Sequence, residues 1–158
     1  MSHLPESAKK RALRLLERRD YSRKELILKL TEKGEPLEDA EAVADRMIEL
    51  GVISDERYSR MLVRHYAAKG YGTCRIKQEL YRHGIHTDLW EEAMEELPPP
   101  PSQEEIIDKL FRSKLRSSEP DQKEIKKATD ALLRRGFSWS EISASKQRVL
   151  NDCEDWTE

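Results

Sequence analysis

The stretch that decides the fold is ALRLLERRDYSRKELILKLTEKG at residues 12–34, which recurs without a gap as LVRHYAAKGYGTCRIKQELYRHG at residues 62–84. An offset of 50 residues brings apolar, turn and cap positions into register. A partial third copy lies 66 residues further on, where Leu132, Arg135, Phe137, Ser138 and Ile142 stand for Tyr66, Lys69, Tyr71, Gly72 and Ile76. Units of this size cannot bury an apolar face alone, so they stack into arrays that typically bind large partners.

Apolar residues recur at helical spacing along the chain, and the alternation typical of strands is absent. The sequence therefore predicts an all-α protein of tandem three-helix repeats in an elongated or curved array. The predicted helices span residues 8–19, 23–33, 38–50, 55–69, 74–83, 88–97, 103–116, 122–135 and 139–150. Serine–glutamate pairs predict capping boxes at Ser22–Glu25, Ser102–Glu105 and Ser138–Glu141. Glycines predict helix ends at Gly34, Gly51, Gly70, Gly84 and Gly136.

The domain organisation follows from these boundaries. We expect repeats at residues 8–51, 52–97 and 102–150. A flexible N-terminus at 1–7 precedes them, and an acidic tail at 151–158 follows. Four prolines at 98–101 form a stiff linker between the second and third repeats, because proline lacks an amide donor and disfavours helix in the residue before it. This linker is the predicted hinge.

Charge is sorted by segment, although the whole chain carries only −2. Residues 8–30, 57–82 and 109–148 each have a net charge of +6, whereas 31–56 and 83–108 have −7 and −8. If the repeats stack side by side, the basic helices align into one stripe on a common side, and residues 38–50 and 86–97 form an acidic ridge elsewhere. The simpler interpretation is that each charged helix merely has a solvated face.

Several classes of function are disfavoured by what the sequence lacks. It has no phosphate-binding glycine loop, zinc-protease helix or nucleophile elbow, so we expect neither enzymatic activity nor a cofactor. The two cysteines have no metal-ligand spacing, which favours reduced thiols in the cytoplasm and no bound metal. The N-terminus has no apolar signal region, and no segment is apolar enough to span a membrane.

Basic helix-turn-helix units with an aromatic residue in the turn could bind nucleic acid. Tyr21, Tyr71 and Phe137 each precede a predicted cap by one residue, where a hydrophobic staple also packs, and packing is the favoured interpretation. The basic residues around these turns have no evident packing role and are surface binding candidates. They are Arg18, Arg19, Arg23, Lys24, Arg64, Lys69, Arg75 and Lys77.

The second repeat carries a resemblance to a known family. Its junction GVISDERY at residues 51–58 is followed by KGYG at 69–72, by Arg75-Ile76 and Glu79-Leu80, and by Gly84-Ile85. The first repeat is similar through RDYS at 19–22, and the third through LLRRGFS at 132–138. These stretches resemble the RecX family of regulatory proteins, which are small, all-helical and built of tandem three-helix repeats. The likeness covers about residues 8–150.

The resemblance implies a cytoplasmic regulator of DNA recombination, repair and the SOS response. Such a protein lies in the groove of the RecA filament on single-stranded DNA and limits its recombinase and ATPase activity, without catalytic residues of its own. We expect a monomer that binds RecA, with weak direct binding to single-stranded DNA. Carried over by position, the leading contact candidates are Arg57, Arg64, Lys69, Arg75, Lys77 and Arg82.

Two alternatives stay open at this point. The first is a stand-alone helix-turn-helix protein that binds DNA and acts on transcription. Against it, a sequence-specific reader usually has one recognition helix and dimeric half-sites, whereas the basic character here is spread over three units. The second alternative is a helical-repeat scaffold for another protein.

Overall fold

The computed structural model describes residues 4–99 and 101–155, with side chains described as far as residue 151. All regular secondary structure in these ranges is helical, which confirms the predicted class. The α-helices are α1 (Glu6–Arg18), α2 (Arg23–Glu32), α3 (Leu37–Glu49), α4 (Asp55–Ala68), α5 (Thr73–Arg82), α6 (Trp90–Ala93), α7 (Ser102–Lys114), α8 (Gln122–Arg134) and α9 (Trp139–Asp155).

The sixth predicted helix, 88–97, is not one regular helix. It consists of a 3₁₀ turn (Thr87–Leu89), the short α6 and a second 3₁₀ turn (Met94–Glu96). At its start the His86 ring accepts a hydrogen bond from the Asp88 amide, and the Trp90 indole N–H donates to the Ile85 carbonyl. At its end Pro98 disfavours helical backbone at Leu97, so the segment tightens and stops.

Two of the three predicted capping boxes are confirmed. The Ser22 hydroxyl accepts from the Glu25 amide while the Glu25 carboxylate accepts from the Ser22 amide, and Ser138 and Glu141 form the same reciprocal pair. The third, Ser102–Glu105, is wrong. Pro101 occupies the cap position, Ser102 is already the first helical residue, and the Glu105 amide bonds to the Pro101 carbonyl. Proline suits a helix start because its missing amide would have been unpaired there.

All five glycines predicted to end helices have positive φ angles, between 73° and 96°. They adopt the left-handed conformation that a C-terminal cap requires. At the N-terminus Leu4 already packs on the core and α1 begins at Glu6, and at the other end α9 continues to Asp155. Of the predicted terminal segments and proline linker, residues 1–3, 156–158 and Pro100 lie outside the described residues.

The helices divide into two compact units. The first comprises Met1–Leu62 with Glu79–Ala93, and the second comprises Val63–Gln78 with Met94–Glu158. Helices α4 and α5 contribute to both, so the units do not coincide with the predicted repeats, whose boundaries stay a prediction. Within the described residues, no helix is both long enough and apolar enough to cross a membrane.

Each unit has its own buried core. In the first, α1, α2 and α3 pack through apolar residues that include Ala12, Leu26, Leu30, Val43 and Met47. In the second, α7, α8 and α9 surround Phe111, Leu132, Ile142 and Val149.

Burial also supports the internal repeat. Leu26 and its counterpart Ile76 are fully buried, as are Leu30 and Leu80, while Leu16 and Tyr66 are both half-buried. The repeat is therefore a structural one.

Candidate functional site

The same helix-end contact occurs in both units. In the first unit, the start of α2 meets the end of α5, where the Ser22 hydroxyl donates to the His83 carbonyl at 2.6 Å. In the second, the start of α5 meets the end of α8, where the Gly72 and Cys74 amides donate to the Arg135 and Gly136 carbonyls at 2.6 and 2.9 Å. The last carbonyls of a helix have no partner within it. In the second unit backbone N–H groups at the start of α5 pair with such carbonyls, whereas in the first unit the donor is the Ser22 hydroxyl.

In the second unit this contact joins backbone to backbone, and only glycine fits. A methyl group on Gly72 would overlap the Phe137 amide nitrogen and lie 2.6 Å from the Gly136 carbonyl oxygen. A methyl group on Gly136 would lie 2.8 Å from the Arg75 Cα. The close approach holds Arg75, near the start of α5, beside the basic C-terminal end of α8.

A basic groove lies at this junction, with an open volume of about 520 Å³. We call it the α5–α8 groove, and it is lined by Lys69, Tyr71, Arg75, Lys114, Ala131, Arg134 and Arg135. Five of these seven residues are cationic. None of the lining residues in the described part of the chain is acidic. The groove is therefore a concentrated positive site, which suits a ligand with several negative charges.

Sequence reasoning identified Lys69 and Arg75 in this groove but missed Lys114, Arg134 and Arg135. For Arg135 a signal was present, because it stands in the third copy where Lys69 stands in the second. Lys114 and Arg134 end α7 and α8, and nothing in their local sequence indicates that the two helix ends share a groove with α5.

Two tyrosine rings contact two of the cations that line the α5–α8 groove. The Tyr66 and Tyr71 rings stack at 5.5 Å with 11° between their planes. The Arg75 guanidinium lies 4.8 Å from the Tyr71 centroid, and the Lys69 ammonium lies 5.7 Å from that of Tyr66. Such cation–π contacts restrain long basic side chains.

Packing also accounts for the other two turn aromatics. In the first unit Arg19 lies 3.9 Å from the Tyr21 ring. Tyr21 and Phe137 are buried, which confirms the packing interpretation for both.

The predicted residues on the first repeat lie in the first unit. Arg18 lines a groove of about 310 Å³ together with Arg11, Arg14, Leu15 and Lys33. Arg19 forms an ion pair with Glu25 at 3.2 Å, and Arg23 forms one with Asp45 at 2.9 Å. The aliphatic stem of Lys24 lies against Gly84. These cations therefore make contacts within the first unit, in addition to being candidates for surface binding.

The predicted residues of the second repeat are not all in one place. Arg57 donates to the Gly51 and Val52 carbonyls at 3.3 Å, so it supplies hydrogen bonds to the backbone that follows α3. Arg64 forms an ion pair with Glu96 at 3.1 Å. Arg82 lies 3.7 Å from Glu79 with its side chain 75% exposed, and Lys77 is exposed on α5.

Three ion pairs join the predicted acidic segments to basic helices. Asp45 of the acidic helix α3 pairs with Arg23, while Glu92 and Glu96 pair with Arg60 and Arg64 of α4 at 3.1 Å each. Part of each acidic segment therefore pairs with a basic helix, and the acidic ridge itself stays a prediction. The common side for the basic faces of the two repeats stays a prediction.

A polar cluster inside the first unit joins α2, α4 and α5. The His83 Nδ1 atom lies 3.2 Å from both the Tyr58 hydroxyl and a Glu25 carboxylate oxygen. Burial alone would raise the pKa of Glu25, but hydrogen bonds from His83, the Ser22 amide and Tyr58 lower it to about 2. Burial and the Glu25 charge raise the pKa of Tyr58. The cluster thus holds Glu25 as a carboxylate within hydrogen-bond distance of side chains from three helices. Among the described residues there is no grouping of three or more potential metal ligands.

Three family models match the chain in succession. They describe the first, second and third three-helix domains of RecX, and they match residues 8–47, 54–94 and 102–144. The chain belongs to the RecX family. This confirms the resemblance read from the junction at residues 51–58 and its surrounding motifs.

Individual RecX proteins agree with this assignment. The chain is 36% identical to the regulatory protein RecX of Xanthomonas axonopodis pv. citri over 143 residues, which cover 90% of this chain and 87% of that protein. It is 38% identical to the regulatory protein RecX of Stenotrophomonas maltophilia over 132 residues, covering 84% and 80%. The crystal structure of RecX from Lactobacillus salivarius superposes with a TM-score of 0.80 at 25% identity, over 90% of this chain and 94% of that one.

Proposed function

We propose that this chain is a non-enzymatic, monomeric, cytoplasmic regulator that binds the RecA filament on single-stranded DNA and limits its recombinase and ATPase activity. The observation that carries the proposal is the succession of three RecX three-helix domains across residues 8–144. The relatives of matching length are themselves named regulatory proteins. RecA as the target is what the family resemblance implies.

The basic residues near the start of α5 are the proposed contact points. Arg75 lines the α5–α8 groove and Lys77 lies exposed on the same helix. A filament of protein and nucleic acid offers carboxylates and phosphates, and a guanidinium pairs bidentately with either. Cations on α5 therefore suit both components of such a partner.

The test measures ATP hydrolysis by RecA on single-stranded DNA at increasing concentrations of this protein. We expect the parent chain to inhibit it, and the double variant Arg75→Glu/Lys77→Glu to inhibit at least tenfold more weakly. Reversing a contact charge removes an attraction and adds a repulsion. Raising the salt concentration should imitate the variant in part, since the Debye length is only about 8 Å at physiological ionic strength.

The matched control reverses two acidic residues, Glu91→Lys/Glu95→Lys. Both positions are exposed, and neither is in the ion pairs that hold α4. Circular dichroism establishes that each variant is folded. If the folded Arg75/Lys77 variant inhibits like the parent while the Glu91/Glu95 variant fails, the contact face is the opposite one. If the parent chain leaves RecA hydrolysis unchanged, the proposed function is wrong.

A further inference from the structure

We propose that the α5–α8 groove binds the phosphodiester backbone of nucleic acid, and that Lys114, Arg134 and Arg135 are binding residues together with Lys69 and Arg75. The inference deepens the proposed function and rests on it for biological context, since it assigns the nucleic-acid part of the filament to this groove. The binding event itself is a property of the free chain, so it is testable without RecA.

The residues that line the groove favour a polyanionic ligand over the surface of a partner protein. Apart from the five cations, the groove is lined, among the residues that the structure describes, by Tyr71 and Ala131 alone. The buried centre of a protein–protein interface is about 65% apolar and depleted of charged residues, a composition this groove lacks. A phosphodiester chain needs only closely spaced cations, because each neutralised phosphate releases a condensed counterion.

The groove is also held in shape before a ligand arrives. The Gly72–Arg135 and Cys74–Gly136 backbone bonds lock the start of α5 to the end of α8. Arg135 donates through Nη1 to the Lys69 carbonyl at 3.2 Å, which engages one of the five N–H donors of its guanidinium. With Arg75 on the Tyr71 ring, fewer side chains need ordering when a ligand binds, and that lowers the entropic cost.

The groove of the first unit is a weaker candidate by the same criteria. Its Arg11 forms an ion pair with Glu35 at 3.0 Å and donates to the Lys33 carbonyl at 2.6 Å. One of its cations is therefore already neutralised by a carboxylate that is itself 9% exposed. In the α5–α8 groove the contacts of Arg135 and Lys69 are with a neutral carbonyl and an aromatic ring.

The experiment measures binding of the full chain to a fluorescein-labelled oligothymidylate by anisotropy, without RecA, at several salt concentrations. The variant is Lys114→Gln/Arg134→Gln, which removes two exposed cations and keeps side chains of similar polarity. Each phosphate contact to a single strand contributes about 0.7 to the slope of log affinity against log salt. We therefore expect weaker binding and a slope smaller by about 1.4.

The matched control is Lys109→Gln/Lys126→Gln, two exposed lysines of α7 and α8 that do not line the groove. It removes the same charge, so its slope should stay close to that of the parent. Equal slopes for the parent and the Lys114/Arg134 variant would overturn the inference, as would an equal loss in the control. Competition by polyglutamate that is stronger than by unlabelled oligothymidylate would overturn it in favour of an acidic protein partner.

Two further measurements complete the test. The first compares single-stranded with double-stranded nucleic acid, and the second compares oligonucleotide binding with inhibition of RecA. A labelled duplex of equal length shows whether the groove prefers single or double strands, and loss of binding to both in the Lys114/Arg134 variant supports the site. Groove-dependent binding in a chain that leaves RecA hydrolysis unchanged would uphold the inference and refute the proposed function. Inhibition of RecA by a chain that does not bind oligonucleotide would do the reverse.

Discussion

Replacing Gly72 by alanine tests whether backbone contact between α5 and α8 holds the second unit together. Gly72 has no positive φ angle, so an alanine is compatible with its backbone conformation. The obstacle is space. The added methyl group would overlap the Phe137 amide nitrogen and lie 2.5 and 2.6 Å from the carbonyl carbon and oxygen of Gly136. These neighbours are backbone atoms and cannot rotate away, so α5 and α8 must separate.

The cost follows from the contacts that separation breaks. The Gly72–Arg135 and Cys74–Gly136 hydrogen bonds would both lengthen, and each contributes about 0.5–1.5 kcal/mol net. Forcing a methyl group into a packed site adds about 1–3 kcal/mol. The smaller conformational entropy of alanine in the unfolded chain offsets about 0.4–1 kcal/mol. The midpoints of these ranges sum to about 3 kcal/mol, so we expect Gly72→Ala to lower the free energy of unfolding by about that amount.

The assay is urea denaturation followed by circular dichroism, with Gly51→Ala as the control. Gly51 has a φ angle of 73°, and a methyl group there meets no atom within 4 Å. That variant should lose only the conformational cost of a left-handed alanine, about 1–2 kcal/mol. If Gly72→Ala proves as stable as the parent, or more stable than Gly51→Ala, the backbone contact does not hold the unit and the preorganised groove loses its basis.

Two carboxylates should make stability depend on pH. The pKa of Glu25 falls from 4.5 to about 2 on folding, so its contribution, up to about 3 kcal/mol, is complete above pH 4.5 and is lost as the pH falls through 2. Glu25→Gln should therefore destabilise strongly at pH 7 and much less at pH 2.5, in urea denaturation at both values. Arg148 and Ser145 donate to Asp108 and lower its pKa despite its partial burial. Asp108→Asn should cost about 1–3 kcal/mol at pH 7 in the same assay, and an unchanged midpoint would refute this pairing.

Local sequence alone determined most of the fold. Helix periodicity, the Ser22 and Ser138 capping boxes and the five helix-ending glycines depend on interactions between residues a few positions apart, and all were readable from the chain. The two local errors involve proline. At Ser102 the preceding Pro101 took the cap position, and at the sixth helix Pro98 shortened the last turn. The family was indicated by a resemblance in local motifs, at residues 51–58 and 69–72 of the second repeat and 132–138 of the third.

Only the tertiary structure decided which charged residues pair with each other and which lie together in a groove. Arg64 reads from sequence as a free surface cation, yet a residue 32 positions away, Glu96, neutralises it. Lys114 and Arg134 gave no local signal, because the groove exists only where the end of α8 meets the start of α5. That meeting depends on Gly72 and Gly136, whose missing side chains let two backbones approach. A sequence states which residues carry charge, but the distances between charges far apart in the chain are set by packing, and electrostatic interactions depend on those distances.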